Sequence, residues 1–211
     1  VRFDNRESGL STRKHNLTLD EISDLTLKIF DRQNPKIPFT IDDLAEDAAG
    51  LLDALKIDKA HICGMSMGGF IAQTLCINHP SRVLSLTSIY SYTGARGPEF
   101  VPEKQIFELL LKPLPQERDA FINDRIHFFR QTYGTGKKFD EAFHRNLLEA
   151  SVDRSFHLAG TALQYLAILM QKDRTQALEQ LDLPALVIHG NADPLVPVSG
   201  GIATAKALRS E

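Results

Sequence analysis

A serine acts as a nucleophile when its hydroxyl is exposed, rigidly held and relieved of its proton by a neighbour. Residues 64–68 read Gly-Met-Ser-Met-Gly, with Gly69 next. This fits G-x-S-x-G between a short apolar run, Ala60–Cys63, and a helix-like segment. In that motif a strand turns sharply into a helix, and the serine sits strained at the apex. The residues two before and two after it approach each other and must be small. Here they are Gly64 and Gly68. The turn presents the Ser66 hydroxyl, and the Met67 N–H at the helix start points to where an oxyanion would form. The plainer alternative is a glycine-rich turn with an incidental serine. Dinucleotide binding is a third reading, since Gly64-x-Ser66-x-x-Gly69 is one residue from G-x-G-x-x-G. That fingerprint needs an acid about 20 residues on, and none occurs between Asp58 and Glu99.

A second group with chemical capacity is "LVIHGNADPLVP", residues 186–197. An apolar strand ends near Gly190 and Asp193 follows in the loop, biased toward an extended conformation by Pro194. An acid at the carboxyl end of a parallel strand shares a rim with Ser66, where open α/β sheets place their ligands. Its part would be to orient and charge-stabilise a histidine. An ordinary Asp-Pro turn is the alternative. Ser91 and Tyr92 follow the next strand and are candidates to line a substrate pocket.

Three apolar runs supply the elements behind these residues: Ala60–Cys63, Val83–Ile89 and Ala185–His189 read as strands buried on both faces. Helices are expected over Ile41–Lys56, opened by a Thr40/Asp43 capping box, and over Met67–His79, stopped by Pro80. This alternation predicts a parallel α/β sheet. From about residue 95 to 181 the rhythm breaks. Pro98, Pro102, Pro113 and Pro115 punctuate it, then helical patterns run over Phe121–Tyr133, Phe139–Ser151 and Leu158–Met170. The expected organisation is a core of 1–94 and 182–211 with a helical insertion over 95–181. Val1–Asp4 reads as the end of a strand.

Composition narrows the classes. The 211 residues carry 43% hydrophobic and 24% charged residues and a net charge of −3, ordinary for a chain with a real core. The charge offers no basic surplus for nucleic acid, and no apolar run approaches the ~20 residues of a membrane helix. Cys63 and Cys76 have neither metal nor redox spacing and read as buried free thiols, favouring a reducing, cytoplasmic compartment. No cofactor or metal site is expected. His127, His144 and His157 lack ligand spacing. Residues 134–138, Gly-Thr-Gly-Lys-Lys, hint at a phosphate loop but fail its pattern. Oligomeric state leaves no signal.

With these motifs in hand, the chain resembles the Ser-nucleophile, esterase-like branch of the α/β-hydrolase fold superfamily, and is similar in flavour to its small methylesterases. "FDNRESGLS" (3–11) resembles that family's loop after the fourth strand, with Glu7 where Gly is frequent. "GMSMGG" resembles its nucleophile elbow and "HGNADPLVP" its acid loop. The resemblance implies Ser66 as nucleophile, Asp193 as triad acid, the Met67 N–H as an oxyanion donor, and Asp4 and Arg6 as loop supports. It implies a helical cap and a small-molecule acyl substrate. The expected activity is hydrolysis of a carboxylic ester or related acyl bond. A perhydrolase, peptidase or carbon–carbon hydrolase, or a non-catalytic receptor or scaffold of the fold, are the alternatives. In the family the order is Ser, acid, His, yet all seven histidines precede Asp193. The expectation is therefore a core incomplete in these 211 residues, with the histidine beyond 211, strands before Val1 and a gap in the sheet.

Overall fold

The computed structural model describes residues 1–134, 136 and 138–209. Thr135 and Lys137, and with them the 134–138 motif as a unit, lie outside the described residues. The chain forms two units: Val1–Pro38 with Glu103–Leu169, and Phe39–Pro102 with the chain from Met170. Residues 1–38 thus group with the helical insertion, whereas the sequence pattern had joined them to the sheet-bearing core.

The second unit holds the sheet. Strands β1 (Ala60–Met65), β2 (Val83–Ile89) and β3 (Ala185–Ile188) are parallel in the order β1-β2-β3. Helix α2 (Ile41–Ala54) opens with the expected reciprocal cap. Thr40 Oγ1 accepts from the Asp43 N–H, and Asp43 Oδ2 accepts from the Thr40 N–H. Its apolar stripe packs on α3 (Met67–Asn78). Ala72 and Cys76 of α3, Leu86 of β2, Leu178 of α8 (Thr175–Leu178) and Ala207 of α9 (Val198–Ala207) form a core cluster over one sheet face.

Burial on both faces was expected of these strands, and the structure corrects this. Burial alternates along β1 and β3. The helices cover Ile62, Leu86, Ala185 and Val187, while Cys63, Met65, Leu186 and Ile188 on the other face are exposed. Cys63 is therefore not a buried thiol. Cys76 is, and burial pushes its thiol up to about 12.

The first unit is helical among its described residues. It comprises α1 (Leu19–Phe30), α4 (Lys104–Leu110), α5 (Arg118–Thr132), α6 (Glu141–Arg154) and α7 (Leu158–Leu169). Helices α5 and α6 pair through Ile122, Ile126 and Val152, and α1 packs on α7. The expected Val1–Asp4 strand does not form, and Val1 and Phe3 are exposed. The 3–11 segment is instead a braced loop. The Asp4 carboxylate accepts two bonds from Arg154 (2.6 and 3.1 Å) and one from the Leu10 N–H (3.0 Å). The Arg6 carbonyl accepts from Gln164 Nε2 (2.6 Å). Glu7 adopts φ 61°, a conformation that favours glycine. The cost is offset by its buried carboxylate, which accepts the N–H groups of Lys14 and His15 and meets His15 Nδ1 at 2.8 Å.

Candidate active site

Ser66 directly follows β1 and caps α3 with φ 53° and ψ −123°, outside the regions an L-residue adopts freely. Such strain costs on the order of 1–3 kcal/mol and persists where surroundings over-determine it. Here they do. The Ser66 N–H donates to Ile89 O of β2 (2.9 Å), and the Ser66 carbonyl accepts from Gly69 N (2.8 Å) and Phe70 N (3.3 Å). The helical ladder thus begins with Gly69 and Phe70, and the N–H groups of Met67 and Gly68 fall in the turn that an α-helix leaves without intrahelical partners.

The expected glycine contact divides in two. A side chain on Gly64 would press into the backbone of Gly68 and come within 2.8 Å of Gly69 N, so smallness there is obligatory. A side chain on Gly68 would meet nothing within 4 Å. Gly69 is the other tight position, since a Cβ there would stand 2.5 Å from Ser91 Cβ. The expected pocket role for Ser91 is corrected by this contact. Ser91 is 1% exposed and lies flush against the first turn of α3. Tyr92 is half-buried, its ring edge-on to Phe70 (5.2 Å) and stacked on Phe100 (6.0 Å), with its hydroxyl accepting from Gln171 Nε2 (3.1 Å).

Asp193 follows β3 in the loop before α9. Its Oδ1 accepts the N–H groups of Leu195 and Val196, both at 2.9 Å, and Pro194 follows directly. Because the three strands are parallel and adjacent in order, Ser66, Tyr90 and Asp193 leave the sheet on one rim. The strands carrying Ser66 and Asp193 are two spacings apart, about 10 Å, which leaves room for an imidazole. His189 does not occupy that place. Its Nε2–H donates to Val196 O (2.7 Å), and its ring is buried against Gly201. Sequence reasoning missed Tyr90. It follows β2 directly, holds φ 32°, and donates its N–H to Ile188 O (2.7 Å). Burial first, and then the negative charge of Asp193, push its phenol above its ordinary pKa. Its place was legible, as the first residue past an apolar run, but its strain was not.

Residues 1–211 match the sequence profile of the alpha/beta hydrolase fold along their whole length. The chain belongs to the alpha/beta hydrolase fold family. Among curated members, it is 27% identical to rhodomycin D methylesterase DnrP of Streptomyces peucetius, over 93% of this chain and 66% of that one. It is 30% identical to 3-oxoadipate enol-lactonase 1 of Acinetobacter baylyi, over 77% of this chain and 57% of that one. The chain thus spans less than two thirds of the length of these relatives. Among solved structures, a meta-cleavage product hydrolase of Pseudomonas fluorescens superposes with a TM-score of 0.66 at 17% identity, covering 97% of this chain and 65% of that one. At that identity it speaks for the fold. No described helix is long and apolar enough to cross a membrane.

Proposed function

We propose that the protein is a serine hydrolase that cleaves a carboxylic ester, or a lactone as a cyclic ester, through an acyl-enzyme on Ser66. The observation that carries this is the φ of 53° at Ser66, on a strand-to-helix turn whose close approaches require glycine at 64 and at 69. Strain of this kind at a polar residue clusters at functional sites. Ser66 Oγ attacks the acyl carbon and the oxyanion is met by the Met67 N–H; the ester C–O bond then breaks, the alcohol leaves with the proton taken from Ser66, and water later releases the acid and restores the serine hydroxyl. Asp193 orients the histidine that takes the Ser66 proton. With Oδ1 held by two N–H groups, Oδ2, which stands 3.9 Å from His189 Nε2, is the oxygen left to accept from the proton-taking histidine. Tyr90 lines the rim between them. By the family resemblance the helical insertion over 95–181, with α4 to α7, corresponds to the family's cap. The relatives named as a methylesterase and an enol-lactonase support acyl–oxygen cleavage and a small-molecule substrate.

The test is covalent labelling of the full-length protein by a fluorophosphonate, located by peptide mapping, together with turnover of p-nitrophenyl esters of graded acyl length. Label on Ser66, and loss of turnover by on the order of 10⁶ in Ser66→Ala, is the expected result. Label elsewhere, or Ser66→Ala turnover within tenfold of the parent, overturns the reading. A non-catalytic member of the fold would show no label.

A further inference from the structure

Arg174 lies just before α8, is 6% exposed, and makes four side-chain hydrogen bonds to three separate segments. Its Nε donates to Gln73 Oε1 on α3 (3.2 Å). Its Nη2 donates to Tyr92 O (3.2 Å) and Gln171 Oε1 (3.0 Å), and its Nη1 to Lys172 O (3.1 Å). The guanidinium stands over the Phe70 ring at 5.2 Å, one turn into the helix that Ser66 caps. Its own N–H donates to Thr93 O (2.8 Å), and Thr175 Oγ1 meets Thr93 Oγ1 at 2.8 Å. The chain of contacts continues through Gln73 Nε2, which donates to Ser88 Oγ of β2 (3.2 Å). Gln73, Ser88, Thr93 and Gln171 are all buried.

A buried cation is costly, and this one is not offset by a carboxylate in any of these bonds. Desolvation lowers its pKa to about 10, with Tyr92, Asp42 and Asp173 opposing only at a distance. What the arginine supplies is a planar fork whose donors reach several acceptors at once, which neither lysine nor an apolar residue reproduces. The segment it holds matters for Ser66. Tyr92 and Thr93 are fixed by Arg174, and Ser91, directly before them, is the side chain against which Gly69 closes the first turn of α3. We propose that Arg174 is a positioning residue for the nucleophile. It clamps residues 91–93 between α3 and the 171–174 segment, and so holds the first turn of α3, with the Met67 N–H, in register with the elbow. The inference rests on Ser66 being the nucleophile.

The experiment uses the full chain with Arg174→Lys, Arg174→Met and, from the other end of the network, Gln171→Met. Each is read by the rate of fluorophosphonate labelling at Ser66, by kcat and KM on p-nitrophenyl butyrate, and by amide exchange of residues 91–94. The expected result for Arg174→Met is labelling and kcat reduced at least tenfold, KM within threefold, and exchange at 91–94 at least tenfold faster. Arg174→Lys should fall between, because one ammonium cannot serve all three segments. If Arg174→Met does not fold, Gln171→Met carries the same prediction at threefold or more, since it loosens both Arg174 and the Tyr92 hydroxyl. Unchanged labelling and kcat in folded variants, even with a lower melting temperature, would make Arg174 a stability residue only and overturn the inference. Absence of label on the parent protein's Ser66 would instead overturn the proposed function.

Discussion

Replacing Gly64 by alanine should open the elbow, and the size of the effect can be worked from the contact. A Cβ at residue 64 would lie 2.8 Å from Gly69 N and closer still to the carbonyl of Gly68, where ordinary contact begins at 3.4 Å. The backbone must therefore separate by at least 0.6 Å, and none of these atoms belongs to a flexible side chain. Overpacking of this kind costs about 1–3 kcal/mol, and rigid backbone on both sides argues for the upper half. At roughly 2–4 °C per kcal/mol for a chain of this size, Gly64→Ala should melt at least about 4 °C lower. The chemistry should suffer more. A misplacement of about 1 Å at a reacting group costs on the order of 10² in rate, so fluorophosphonate labelling should slow at least tenfold. Gly68→Ala is the internal control for stability. Nothing lies within 4 Å of its Cβ, and alanine in a helix stabilises by roughly 0.5–1 kcal/mol over glycine, so its melting temperature should hold or rise. Equal melting temperatures for the two variants, with Gly64→Ala labelled at the parent rate, would refute the account of the elbow as a glycine-permitted turn.

Two further outcomes follow from the electrostatics and from burial. The Asp4 carboxyl is held below its usual value of 3.8, first by the Arg154 hydrogen bonds and then by the Leu10 N–H. A carboxyl with a depressed folded-state pKa contributes stability above its unfolded pKa and loses it as pH falls through the folded value. Melting temperature should therefore drop as pH falls below about 3.8, and Asp4→Asn should flatten that part of the profile; an unchanged slope would remove Asp4 from the brace. The Cys76 thiol, buried and pushed up to about 12, should resist a disulfide reagent at pH 8 until the chain unfolds. Modification of Cys76 as fast as that of a free thiol would show that the α3 core opens without global unfolding.

Much of the fold was legible because periodic burial writes itself into residue type. The run Val83–Ile89 forms a strand at the expected bounds, and the Thr40/Asp43 cap opens α2 where its spacing says. Residues 19–30 form a helix that was not expected, although the signal is present: Thr18 and Glu21 complete a capping box, and Leu19, Ile22, Leu25 and Ile29 recur at helical spacing. Helix α4 lies between proline-rich stretches and has one buried residue, Ile106, so its pattern is too short for periodicity to register. Strand burial was over-read for a different reason. A run such as Ala-Leu-Val-Ile is equally apolar on both faces, so composition cannot say which face the helices cover, and Cys63 went to the wrong side.

The site divides along the same line. The turn at Ser66 and the loop at Asp193 were legible because glycines and a proline mark their backbone geometry, and those residues act on local φ and ψ. Tyr90 and Arg174 were not, since their surroundings come from contacts distant in sequence: Tyr90 with Asp193, 103 positions on, and Arg174 with Gln73, 101 positions back. An isolated arginine between apolar helices has the same sequence signature as a solvated one. Only the fold reveals that it is buried without a hydrogen-bonded carboxylate, and that its donors are spent on the side-chain amides of Gln73 and Gln171 and the carbonyls of Tyr92 and Lys172. The polar residues that matter most to such a site are therefore those the sequence is least able to single out. They are also the ones whose substitution should alter the chemistry at Ser66 while leaving every recognisable motif intact.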